Sequence, residues 1–201
     1  MQSFQAIFLG LGAGFLMTVL LGAIFFLLLN QSIQNGYKSC IPIALGVITG
    51  DAIFVTLAVI FTSQITSFLS LYQNYISIIG GVVLIVLGVI NMRKKLPINK
   101  VHEGKGSLYA KAFTINFLNP ANAAWWLSLY SLAPMSEFQL PNKLTFGAFA
   151  IIGIFTTEIA VAFGAQNLKK WLNGPRLQKL NFGIGLVFIL LGLKLVLTPL
   201  F

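Results

Sequence analysis

Asp51 and Glu158 stand inside long apolar runs of a chain that has only four acidic residues in 201. Asp51 is the eleventh residue of the run Ile41–Phe61, about 15 Å in at 1.5 Å per helical residue. Glu158 lies seven residues before the end of the run Leu144–Ala165, about 10 Å deep. A charged side chain far inside hydrocarbon costs several kcal/mol, so such residues turn inward and mark proton, ion or substrate routes. Carboxyls held there can exchange protons, and an ionised one can hold a substrate ammonium. The plainer expectation for each is a protonated packing residue, hydrogen-bonded to a neighbouring helix.

The second set of polar residues is Asn116-Phe-Leu-Asn119-Pro120-Ala-Asn122, followed by Trp125 and Trp126. Proline has no amide proton and crowds the carbonyl four residues back, so Pro120 frees the Asn116 carbonyl and breaks or kinks a helix. The residue before proline is biased away from helical geometry, which lets Asn119 cap a second half-helix. Exposed amides and the positive dipole end at such a start suit a substrate carboxylate. Asn116 and Asn119 would share a face of a continuous helix, with Asn122 further round. Equally, the asparagines can simply satisfy the backbone groups that the proline releases. Trp125 and Trp126 read as packing or interface anchors.

The elements that position these residues follow from composition. Hydrophobic residues make up 57% of the chain and charged ones 8%, against about a quarter charged in an ordinary globular domain. Six apolar runs can each cross about 30 Å of hydrocarbon as a helix: Phe4–Leu29, Ile41–Phe61, Leu71–Ile90, Ala112–Leu132, Leu144–Ala165 and Leu180–Leu200. A barrel would need alternating ten-residue segments. The expectation is therefore an all-α integral membrane protein, residues 1–201 forming a single transmembrane domain. The first run has no Lys or Arg before it and is too long for a secretion-signal core. Cys40, alone of its kind, permits no internal disulfide and reads as a packed spectator.

Other chemistries find no support. His102, the one histidine, sits in a basic loop beside Glu103, and no convergent ligand set for a metal accompanies it. No nucleophile–base pair falls in the apolar runs, so an enzyme is not expected. Gly10-x-Gly12-x-Gly14 lacks dinucleotide spacing. No cofactor is expected.

The net charge of +9 is a topology signal. Eleven of the 13 Lys and Arg residues fall in alternate connections: Lys38; Arg93, Lys94, Lys95, Lys100, Lys105 and Lys111; Lys169, Lys170, Arg176 and Lys179. Only Lys143 and Lys194 fall to the other side. The positive-inside rule puts the basic loops in the cytoplasm and both termini outside it. A nucleic-acid surface would want aromatics interleaved with the basic residues; anionic lipid headgroups are the expected partner.

Internal similarity suggests how the runs are related. Gly81-Val-Val-Leu-Ile-Val-Leu-Gly88 in the third resembles Gly185-Leu-Val-Phe-Ile-Leu-Leu-Gly192 in the sixth, and Gly46, Gly50 and Asp51 in the second resemble Gly153 and Glu158 in the fifth. Halves of three crossings must be oppositely oriented, which is the inverted-repeat architecture of transporters. The division is repeat 1 at 1–91, a basic cytoplasmic linker at 92–111 and repeat 2 at 112–201. Small residues four apart, Ala6, Gly10, Gly14, Thr18 and Gly22, let another helix approach the first run, and Gly46 and Gly50 do so in the second.

The pattern Gly22…Gly36-Tyr-Lys-Ser…Ala44-Leu-Gly46-x3-Gly50-Asp51, then Asn116-x2-Asn119-Pro120, resembles the lysine exporter (LysE/RhtB) superfamily of bacterial amino-acid efflux proteins. The resemblance implies an exporter of amino acids or related metabolites in the bacterial cytoplasmic membrane, driven by a proton or ion gradient. Asp51, Asn116, Asn119 and Pro120 would line its pathway, with Glu158 and Asn122 as further candidates from the residue reading. A homodimer is compatible with it, and a non-transporting structural or regulatory membrane protein is the competing reading. One departure is visible: the family usually has Pro-Gly-Pro in the first helix, where this chain has Leu21-Gly22-Ala23. The first helix is therefore expected to be less broken than its counterpart.

Overall fold

A computed structural model describes residues 2–20, 22–61, 71–93, 104–131, 137–167 and 174–197, and every described element is helical. They are α1 (Gln2–Leu20), α2 (Gly22–Asn35), a 3-10 turn (Tyr37–Cys40), α3 (Ile41–Ile60), α4 (Gln73–Arg93), α5 (Lys105–Phe117), α6 (Pro120–Ser131), α7 (Leu140–Asn167) and α8 (Gly174–Leu197). Among the described residues, two continuous stretches are long and apolar enough to cross a membrane, Tyr37–Ile60 and Leu140–Asn167. The chain divides into two compact units, Met1–Ser63 with Lys100–Lys169, and Gln64–Asn99 with Lys170–Phe201.

In the larger unit α1 packs most extensively on α7, and α3 on α5. Both pairs are parallel. Ser3 Oγ donates to Asn142 Oδ1 near the starts of α1 and α7, and Gly10 and Gly14 meet the α7 backbone further along, at Phe146 and Ala150. A Cβ on Gly10 would stand 2.6 Å from the Phe146 carbonyl oxygen, so only glycine allows this approach. Gly46 is pressed in the same way on the Tyr109 carbonyl of α5, and Gly50 stands against the Asn116 side chain. The groove expected at Gly10, Gly14, Gly46 and Gly50 is thus occupied. The surroundings of Gly22 lie outside the described residues.

The first apolar run is held to α7 at both ends. Ser32 Oγ donates to the Ala162 carbonyl, and Tyr37 N–H donates to Gln166 Oε1 at 2.7 Å, so the end of α2 and the turn lie beside the end of α7. Gly14 and Ser32 are about 27 Å apart along an unbroken helix, yet they meet α7 about 15 Å apart on the same ruler. The run therefore does not follow α7 in parallel over its whole length. Leu21 itself lies outside the described residues, and the expectation of a first helix less broken than its counterpart falls on it.

The fourth run differs from expectation at its start. Its helix begins at Lys105 rather than Ala112, taking Lys105–Lys111 out of the basic linker, because apolarity marks the part of a helix that meets hydrocarbon and not where the helix begins. Its break is where Pro120 demands one: α5 ends at Phe117, Leu118 caps it, and α6 opens at Pro120.

In the smaller unit α4 and α8 run antiparallel. Gly81 faces Gly192 and Gly88 faces Gly185, each glycine standing on the other's carbonyl oxygen. The two seven-residue glycine intervals are therefore the two halves of one helix contact. Arg93 at the end of α4 and Arg176 and Lys179 at the start of α8 fall at the same end of this pair. The larger unit likewise gathers Lys38, Lys105 and Lys111 at the end where the 3-10 turn, α3 and α5 begin.

Outward faces are apolar. Phe4, Phe8, Phe15, Ile60, Ile152 and Phe163 are all exposed large hydrophobics, an exterior suited to hydrocarbon. The hydroxyls of Thr49, Thr56, Thr145 and Thr156 each bond the carbonyl four residues back, which satisfies them without water.

Candidate functional site

Asp51 lies in the middle of α3 with no exposed surface, and three N–H groups converge on its Oδ1: Asn116 Nδ2 at 3.0 Å, Asn122 Nδ2 at 2.9 Å and Trp126 Nε1 at 3.0 Å. The helix break makes this convergence. In a continuous helix Asn122 would point about 120° away from Asn116. With α5 ended and α6 restarted at Pro120, both asparagines reach one carboxyl, and Trp126, one turn beyond Asn122 on the same face, joins them.

The break is itself stitched. The Asn116 carbonyl accepts from Asn119 N–H at 3.3 Å and from Asn122 Nδ2 at 3.2 Å, while the Asn119 carbonyl accepts from the amides of Asn122 and Ala123. Asn116 Nδ2 also donates to the Val47 carbonyl at 2.9 Å. Asn122 thus serves the released backbone and the buried acid together. Asn119 acts here through its backbone, and the Pro120 ring lies outside the described side chains.

Glu158 lies on α7, 1% exposed, and its Oε2 has no hydrogen-bond partner among the described residues. Asp51 Oδ2 is buried and unpartnered in the same sense. The two acids line one cavity of about 10 Å³, room for roughly one water. Thr18 and Asn116 share its wall with Met17, Ile24, Val47 and Ile154. Thr18 Oγ1 is turned to its own helix, donating to the Gly14 carbonyl.

Of the residues singled out in the sequence, Asp51, Glu158 and Asn116 meet at the cavity, Asn122 supports them from behind, and Asn119 and Pro120 form the break. Trp126, read as a packing or interface anchor, is wholly buried, as packing requires, and in addition donates to Asp51. The signal was its spacing, since it lies one helical turn past Asn122. Thr18 was noted only for its small size.

The family described as LysE type translocator matches residues 15–198. This chain belongs to that family. A protein of Bacillus subtilis (strain 168) whose name is "Putative amino acid efflux protein YcgF" is similar, 22% identical over 172 residues that cover 82% of each chain. No solved structure matches the chain. Membership in a translocator family makes the protein a membrane transporter in outline.

Proposed function

We propose that the protein is a secondary transporter exporting amino acids or related small metabolites across the bacterial cytoplasmic membrane in exchange for protons. The observation that carries this reading is the cavity reached by both Asp51 and Glu158. Two acids sealed in separate apolar packing would have argued against it. The similarity to a protein named for amino acid efflux agrees in substrate class. The asparagine-bound break beside Asp51 supports a pathway through α3, α5 and α6.

The architecture proposed is six crossings in two inverted repeats within a single domain of 201 residues. Contacts come in matched sets, as exchange of halves requires. Gly46 and Asp51 correspond to Gly153 and Glu158, each 107 residues later, and Tyr109 and Asn116 correspond to Leu11 and Thr18, each 98 residues earlier. Gly46 stands on the Tyr109 carbonyl and Gly153 on the Leu11 carbonyl. On the cavity wall Val47 is matched by Ile154, Asp51 by Glu158 and Asn116 by Thr18. Gly81 and Gly88 correspond to Gly185 and Gly192, 104 residues later, and their contacts exchange in the same way. Both termini lie outside, and the basic loops lie in the cytoplasm among anionic headgroups.

The test is efflux from proteoliposomes loaded with the twenty common amino acids, with a pH gradient imposed and external solutes read by mass spectrometry. One or a few amino acids should leave faster than from protein-free vesicles, at a rate that follows the gradient. A reconstituted, folded protein that releases none would be a structural or regulatory membrane protein instead.

A further inference from the structure

The two acids occupy matching places five residues after Gly46 and Gly153, but the helices facing them do not match. Opposite Asp51 the fourth run supplies Asn116, Asn122 and Trp126, three N–H donors to one oxygen. The corresponding positions of the first run, 98 residues earlier, are Thr18, Ile24 and Leu28. Thr18 spends its hydroxyl on Gly14, and Ile24 and Leu28 are buried hydrophobics without a donor. No donor reaches Glu158 Oε2 among the described residues.

Charge offers Glu158 no compensation either. Its helix α7 is packed by α1, α2, the 3-10 turn and α3. Neither α1 nor α2 holds a titratable side chain. The turn brings Tyr37, the exposed Lys38 and the Cys40 thiol, which lies within electrostatic reach, and α3 brings Asp51 across the cavity. Among the described residues the cavity wall holds no cationic side chain. Three charge-compensating donors suit a fixed carboxylate. A carboxyl that has neither donor nor cation is tolerated in apolar surroundings only with its own proton or with a cation brought from outside.

We propose that Glu158 is the carboxyl that takes up and releases the coupled proton, and that Asp51 is a positioning residue that keeps one protonation state while its donors hold the α5–α6 break in place. This rests on the transporter reading. The proton passes from water on the outer side to a Glu158 carboxyl oxygen, and later from that oxygen to water on the cytoplasmic side; no other bond forms or breaks.

The test uses the full-length protein in lipid with Glu103→Gln and Glu137→Gln, which leaves Asp51 and Glu158 as the side-chain carboxyls. The pH-difference infrared spectrum should show a protonated-carboxyl stretching band. Asp51→Asn should keep that band, Glu158→Gln should lose it, and Glu158→Asp should restore it. In proteoliposomes loaded with the twenty amino acids, Glu158→Gln should lower gradient-driven efflux at least about tenfold and flatten its pH profile. Asp51→Asn should slow efflux while leaving the shape of the profile intact. A band that survives Glu158→Gln, or vanishes with Asp51→Asn, overturns the assignment; if Glu158→Gln fails to fold, the Asp51→Asn spectrum alone decides. Absence of efflux from the wild type would sink the transporter reading instead, whichever acid carries the band.

Discussion

Asp51 carries three N–H donors on one oxygen, and the energetic consequence is specific to each donor. A hydrogen bond to a charged or potentially charged group contributes more than an average one, though within a membrane the net value is modest. Trp126→Phe keeps the ring and deletes the donor, so it should lower stability by about 1–2 kcal/mol, read as a drop in the unfolding temperature in detergent. Trp125 is the internal control. Its Nε1 is buried with no partner among the described residues, so Trp125→Phe removes an unsatisfied donor and should leave that temperature unchanged or raise it. Equal losses in the two variants would mean that ring packing, not the bond to Asp51, sets the effect. The sequence showed Asp51 and the asparagines as candidates because ionisable and amide side chains stand out in apolar runs. It did not show Trp126 as a partner, because a tryptophan in a membrane segment has packing and interfacial uses that look the same in one dimension.

At the scale of elements, backbone approach at glycine sets helix pairing. Gly14 meets the backbone of Ala150, Gly153 and Ile154, whereas the space around Gly12, two residues earlier on the same helix, is open. Gly14→Val should therefore force α1 off α7 and cost about 1–3 kcal/mol, the usual penalty of overpacking. Gly12→Val should be near neutral. Thermal unfolding of the two variants side by side checks this, and a Gly14→Val protein as stable as Gly12→Val would contradict the observed packing. Small residues at four-residue spacing announced such a contact, but spacing cannot name the partner. That α1 takes α7, and α3 takes α5, follows from which bundle closes. The break in the fourth run is different: Pro120 makes it by local chemistry and is visible in sequence.

For the molecule as a whole, the distribution of basic residues predicts an orientation that can be measured. With Cys40→Ala as background, a cysteine at Gly104 and one at Gln139 occupy exposed positions at opposite ends of the larger unit. A membrane-impermeant maleimide should label Gln139→Cys in intact cells and Gly104→Cys only after permeabilisation. The reverse pattern would invert the proposed topology, and with it the direction in which protons and solute exchange.

Sequence by itself determined the solvent, the helical class and the two buried acids, since each follows from local composition: backbone groups in hydrocarbon must be satisfied within a helix, and a carboxyl among apolar residues needs a reason to be there. Tertiary structure decided what those acids are. Asp51 and Glu158 look alike along the chain, yet one meets three donors and, among the described residues, none reaches Oε2 of the other. That difference resides in the helices opposite them, 65 or more residues away for Asp51, and only packing brings the partners together.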